Sequence, residues 1–170
     1  MGDPVYYVVS SLNSVLSGAN NDTVNSRLSK RSSSSNYLNF AGKTYYFGTV
    51  FRSNFYRAIQ YCRQQGMQLV SIPTQAINDR LGKYIGEIGV GNGHFWTSGT
   101  NLADVNQWIW LSTGENFVYT NWHPGEPSYK NSDNVTENCV EARHFGKGFT
   151  WNDLNCFWEA YFICESTSSC

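Results

Sequence analysis

The chain reads as an α+β fold. Two segments in its first half carry apolar residues at helical spacing, aromatic-rich and alternating runs fill most of the remainder, and a long stretch between Leu111 and Cys139 shows little regular pattern. Helices gathered towards one end of a strand-rich chain point to helices packed on antiparallel sheet rather than to repeated strand–helix units.

Residues 1–36 stand apart. They are rich in Ser and Asn, with Lys30-Arg31 followed by four serines, a composition that buries little and reads as a tail. Val5, Val8, Leu12 and Val15 fall at helical spacing, so a short oligomerisation helix is the alternative to a disordered leader. Two or three Val-rich turns make a marginal helix, which favours the leader. The globular part is placed at residues 37–166. Lys43 to Val50 reads as a Tyr- and Phe-rich strand. Ser53 is the expected cap of a first helix with Phe55, Ala58, Ile59 and Cys62 on one face and Gly66 as its stop. Gln68 to Ile72 is a short strand. Thr74 is the expected cap of a second helix that turns Ile77, Leu81, Tyr84, Ile85 and Ile88 inward and stops at Gly89. Phe95 to Ser98, Gln107 to Leu111, Cys139 to Arg143, Phe149 to Trp151 and Tyr161 to Glu165 read as strands. Residues 167–170 form a second tail, ending in Cys170.

With 170 residues the chain has room for one well-cored domain. Its net charge of −1 supplies no basic excess to neutralise phosphates, which argues against nucleic acid as a partner. No apolar run approaches the ~18–20 residues of a membrane span. The cysteines Cys62, Cys139, Cys156, Cys164 and Cys170 form no CxxC pair of the zinc or redox kind. Together with the sequons at Asn21 and Asn134 they favour an oxidising, extracellular setting. Met1-Gly2-Asp3-Pro4 lacks a basic n-region, so the expectation is a secreted protein whose signal peptide is not part of this sequence. His94, His123 and His144 sit in no nucleophile or zinc-ligand spacing, and the chain is not expected to be an enzyme.

The informative cluster is Glu126-Pro127-Ser128, Glu137 just before Cys139, and Trp151-Asn152-Asp153 just before Cys156. Calcium takes six to eight oxygen ligands at about 2.3–2.6 Å. Glu126, Ser128, Glu137, Asn152 and Asp153 are able to supply most of them and leave room for hydroxyls from outside. A bound ion is one physical reason for so long an irregular loop to hold a shape.

Phe95-Trp96-Thr97-Ser98-Gly99, Asn121-Trp122, Gly125-Glu126-Pro127-Ser128, Glu137-Asn138-Cys139, Trp151-Asn152-Asp153 and Phe162-Ile163-Cys164-Glu165 resemble, in order, the motifs of the C-type lectin-like domain over about residues 40 to 165. With no cysteine before Cys62, the chain resembles the short form, and its Tyr- and Trp-rich layout is similar to small secreted lectins of insects and other arthropods. The resemblance implies two helices packed on two small antiparallel sheets with a long calcium-binding loop. It implies disulfides Cys62–Cys164 and Cys139–Cys156. Cys170 is then unpaired, either a capped or free thiol or a bridge to another chain in a disulfide-linked oligomer. It also implies a cis peptide before Pro127 and a calcium site of Glu126, Ser128, Glu137, Asn152 and Asp153.

Sugar binding in this family uses two adjacent hydroxyls that contact the ion and hydrogen-bond its ligands. Here Glu126 and Glu137 would accept, Asn152 would donate, and Ser128 would fill the fourth role. Glu126 points to mannose-type glycans. Ser128 departs from the usual Asn or Asp, and its shorter reach is expected to weaken or blur selectivity. Tyr129 and Asn138 stand where acids often build an auxiliary calcium site, for which Asn101 and Asp104 are the remaining donors. A glycan on Asn134 would sit near the rim. The implied function is a secreted, calcium-dependent lectin in glycan or microbe recognition and innate immunity. The alternative, a carbohydrate-independent protein-binding module on the same fold, is favoured by Ser128 and opposed by the other four ligands.

Overall fold

The computed structural model describes residues 36–146 and 148–167. Residues 1–35 of the N-terminal tail, including Asn21, and Cys170 lie outside the described residues.

Strand β1 (Tyr37–Phe40) and strand β2 (Lys43–Ser53) form a hairpin through Ala41 and Gly42, which take φ of 51° and 76°. Two successive positive φ values give a turn whose twist suits antiparallel strands. Helix α1 (Phe55–Gln64) follows. Its cap is Asn54 rather than the expected Ser53: the Asn54 side chain accepts from the Arg57 amide at 3.0 Å. Ser53 is instead the last, buried residue of β2, and its carbonyl accepts from the Trp96 indole at 2.9 Å. The tertiary contact to Trp96 thus keeps Ser53 in the sheet and moves the cap one residue on.

Strand β3 (Met67–Leu69) leads to helix α2 (Gln75–Glu87), which Thr74 caps through the Ile77 amide. Leu81 and Ile85 are buried, with Ile77, Tyr84 and Ile88 packed at the core's edge. Gly82 lies against strand β8 (Gly148–Leu154): a Cβ there would stand 2.5 Å from the Phe149 Cβ, so only glycine permits this helix–strand approach.

Strand β4 (Phe95–Thr100) is buried along its whole length. It pairs antiparallel with β7 (Cys139–Phe145) on one side, and on the other runs parallel to β9 (Ala160–Ser166) before meeting β5 (Ile109–Trp110) antiparallel. The antiparallel groups expected as two sheets are therefore linked into one mixed network through β4. Short strand β6 (Glu115–Asn116) extends it beyond β5, and β8 pairs with β7. The β7–β8 ladder sets Glu141 opposite Asn152 and Val140 opposite Asp153.

Two apolar clusters fill the interior. One, against α2, includes Phe47, Trp110, Trp151 and Ile163; the other, against α1, includes Phe55, Trp96 and Phe162 with all four bonded cysteines. Cys62 of α1 is bonded to Cys164 of β9, and Cys139 of β7 to Cys156 after β8. Chain-entropy models credit such crosslinks with about 3–5 kcal/mol each. The pairing agrees with the one the resemblance implied.

Candidate functional site

The loop between β6 and β7 is built on an aromatic anchor. Trp151 of β8 is fully buried, and the rings of Phe117, Tyr119 and Trp122 from the loop meet it edge-on at 5.5, 5.5 and 5.9 Å. Its indole donates to Asn78 Oδ1 of α2 at 2.9 Å, and Asn78 Nδ2 and Asn121 Nδ2 both donate to the Phe149 carbonyl. The Trp151 amide donates to the Asn121 carbonyl and its carbonyl accepts from the His123 amide, so residues 121–123 run beside β8. Trp151 therefore fixes both the strand carrying Asn152 and Asp153 and the chain leading to Glu126.

Beyond His123 the chain turns through Gly125, and the Glu126–Pro127 peptide is cis. A small hairpin then folds back: the Glu137 amide donates to the Tyr129 carbonyl, Lys130 bridges to Thr136, and Asn131 Oδ1 accepts from the Asp133 and Val135 amides. This hairpin brings Glu137 next to Ser128. Asn134, of the sequon, is exposed at its tip, where its Oδ1 accepts from Lys130 Nζ.

Four of the five candidate ligands converge directly. Asp153, fully buried, accepts from the Ser128 amide on Oδ1 at 2.9 Å and from the Tyr129 amide on Oδ2 at 2.7 Å. Glu137 Oε2 accepts from the Ser128 hydroxyl at 3.1 Å. Glu126 lies against Asp153, and its Oε2 is buried with no hydrogen-bond partner among the described residues. Asn152 neighbours them in sequence, but its amide donates to Glu141 Oε1 at 3.2 Å.

The electrostatics suit a cation. Burial pushes the Glu137 carboxyl above its ordinary value; the Ser128 hydroxyl pulls it down, and the charges of Asp153, Glu126 and Glu141 push it further up. Burial likewise raises Asp153, against the lowering effect of the Ser128 and Tyr129 amides, with Glu126 adding to the rise. Crowded acids with an orphaned carboxylate oxygen are a donor set for a hard cation. Among the described residues no group of three acidic, histidine or cysteine side chains is arranged to hold an ion by itself.

The histidines are engaged elsewhere. His144 Nε2 meets the Gly82 carbonyl, His123 stacks on Phe145, and His94 Nδ1 meets Glu141 Oε2 at 2.6 Å. Glu141 is the site residue that sequence reasoning missed. Its signal was an acid inside an apolar strand run with Arg143 two residues on, a spacing that sets both on one face.

The fold and the motif positions define a C-type lectin domain. The family model for the lectin C-type domain matches residues 51–166, and the chain belongs to that family. It is 28% identical to the C-type lectin mosGCTL-7 of Aedes aegypti over 130 residues, covering 73% of this chain and 84% of that protein. It is 31% identical to perlucin of Haliotis laevigata over 121 residues, covering 71% and 74%. The carbohydrate-recognition domain of the human scavenger receptor C-type lectin superposes with a TM-score of 0.65 at 30% identity, covering 78% of this chain and 97% of that one. The cow CD23 carbohydrate-recognition domain, solved in the presence of a GlcNAc2Man3 oligosaccharide, superposes with a TM-score of 0.65 at 29% identity, covering 79% and 95%. The family is one of carbohydrate-binding, generally non-enzymatic domains. Among the described residues no helix is long and apolar enough to cross a membrane.

Proposed function

We propose that this domain is a secreted, calcium-dependent lectin for mannose-type glycans. The observation that carries the reading is the meeting of Glu137 and Asp153 at Ser128, with Glu126 against Asp153 and one Glu126 oxygen buried without a hydrogen-bond partner among the described residues. Glu126, Ser128, Glu137, Asn152 and Asp153 would hold the ion, which when bound supplies a Lewis-acidic contact for two adjacent sugar hydroxyls. Asp153 is spent on the Ser128 and Tyr129 amides, so it shapes the loop as well as adding charge. Glu126 and Glu137 would accept from sugar hydroxyls with their remaining lone pairs, and Asn152 would donate with its second N–H. Ser128 has committed its proton to Glu137 and keeps only lone pairs for an ion, which supports weakened sugar selectivity. The two disulfides and the similarity to a mosquito C-type lectin support an extracellular location and a role in glycan or microbe recognition.

The test is a glycan array read with calcium and with chelator, on the wild type and on Glu126→Gln combined with Ser128→Asp. A calcium-dependent mannose-type signal that moves towards galactose-type sugars in the double variant supports the reading. A flat array under both conditions rejects it and favours the protein-binding module.

A further inference from the structure

We infer that Glu141 is a positioning residue that locks the side-chain amide of Asn152 in the one orientation a ligand site can use. The inference rests on the calcium reading above for the purpose of the lock, and on geometry alone for its existence. Glu141 is fully buried in β7 and directly opposite Asn152 in the β7–β8 ladder. Residues paired in this way bring their side chains within about 4.5–5.5 Å at Cβ.

A buried carboxylate is expensive unless its oxygens are occupied, and here they are. Oε2 meets His94 Nδ1 at 2.6 Å, and Oε1 faces Asn152 Nδ2 at 3.2 Å and Arg143 Nε at 3.4 Å. Arg143 in turn places Nη1 3.0 Å from His94 Nε2 and lays its guanidinium 3.6 Å from the centre of the Phe145 ring.

The chemistry of these groups dictates direction. A guanidinium only donates, so His94 Nε2 accepts and His94 Nδ1–H donates to Glu141. A carboxylate only accepts, so the prong of Asn152 that meets Glu141 must be the NH2. The other prong, Oδ1, is left for a cation, and the second N–H is left for a sugar hydroxyl. A free asparagine amide has no such preference, and its flipped form would set the carbonyl against a buried carboxylate and the NH2 towards the cation. The relay Arg143–His94–Glu141 thus excludes the flipped form before any ligand arrives. Metal sites depend on such outer partners to orient their ligands, and losing one typically costs about 10–100-fold in metal affinity.

Two variants separate orientation from charge. Glu141→Gln keeps the size but pairs with either orientation of the Asn152 amide. Glu141→Asp keeps the charge but is one methylene too short to reach it. The first readout is the Asn152 side-chain amide in 15N–1H spectra of the calcium-free protein, assigned by its absence in Asn152→Ala. Wild type should show one slowly exchanging, shifted proton, and both variants should lose it. The second readout is calcium affinity by calorimetry, which should fall about tenfold or more in both. A wild-type-like amide signal, or wild-type affinity in Glu141→Asp, overturns the inference. If wild type itself takes up no calcium, the calcium reading fails, and the amide spectrum still decides whether Glu141 holds Asn152.

Discussion

Ser128 donates its hydroxyl to Glu137 across 3.1 Å, joining the residue after the cis proline to an acid nine positions on. The same contact is the one lowering influence on the Glu137 carboxyl, which burial and three neighbouring acids otherwise raise. Ser128→Ala should therefore leave Glu137 more readily protonated and weaken calcium uptake at neutral pH. A hydrogen bond to a charged group contributes about 1.5–3 kcal/mol, so a loss of about tenfold or more is expected by calorimetry. Ser128→Asn restores a longer side chain with both a carbonyl and a donor, and should tighten mannose binding severalfold. An unchanged mannose affinity in that variant would remove Ser128 from the sugar-contacting set.

Acidity should act in opposite directions on the two forms of the domain. Glu137 and Asp153 titrate above their ordinary values, in each case chiefly through burial. The calcium-free fold then holds protons that the unfolded chain has already released. Its stability from these groups is complete below the ordinary carboxylate range, near about pH 4, and is lost as pH rises through the raised values. Calcium needs the charged forms, so its affinity climbs across the same interval. Thermal melts in chelator should show a falling midpoint from mild acid to neutrality, while the increment on adding calcium grows. An increment that does not change with pH would contradict the placement of these two acids in the site.

The anchor beneath the loop can be tested without touching a ligand. Gly82→Ala places a methyl group 2.5 Å from the Phe149 Cβ, and Phe149 carries the carbonyl that Asn78 and Asn121 share. Overpacking of this kind costs about 1–3 kcal/mol. A lowered melting temperature in chelator is expected, together with altered near-ultraviolet circular dichroism from the Trp151 cluster. Gly86→Ala, four residues along the same helix where a Cβ meets nothing within 4 Å, is the control and should not destabilise.

How far the sequence carries this picture depends on whether an element is governed locally. Helix α2 is: Thr74 caps it, Gly89 ends it with φ of 79°, and its apolar spacing names the inner face. Helix α1 is not quite, because Ser53 and Asn54 are both good caps and only the Trp96 indole on the Ser53 carbonyl decides between them. Strands β1 and β6 escape notice since each is four residues or fewer and exists by pairing with a neighbour. At the site, the spacing of Glu126, Ser128, Glu137 and Asp153 suggests one cluster, and the folded hairpin at 129–137 brings them together. Glu141 stayed hidden because its role depends on the β7–β8 register, on His94 from another strand's approach and on Arg143, none of which a linear reading pairs with Asn152.

One calcium ion per chain, rather than two, is the expected stoichiometry for the described domain. An auxiliary site would need the oxygens of Asn101, Asp104 and position 138. Asn138 Nδ2 donates to Asn101 Oδ1 at 2.7 Å, and the Asn101 amide donates back to the Asn138 carbonyl at 3.2 Å. Asn101 Nδ2 is held by the Val105 carbonyl, and Asp104 Oδ1 accepts from the Asn106 amide and side chain. A clasp between Asn101 and Asn138 thus joins the end of β4 to the start of β7 and engages oxygens that an auxiliary ion would need. Asn101→Ala leaves the Asn138 amide without its partner and should cost about 1–3 kcal/mol of stability with the calcium count unchanged. Calorimetric titration giving two equivalents in the wild type, one of them lost in Asn101→Ala, would show that the clasp opens to admit an ion.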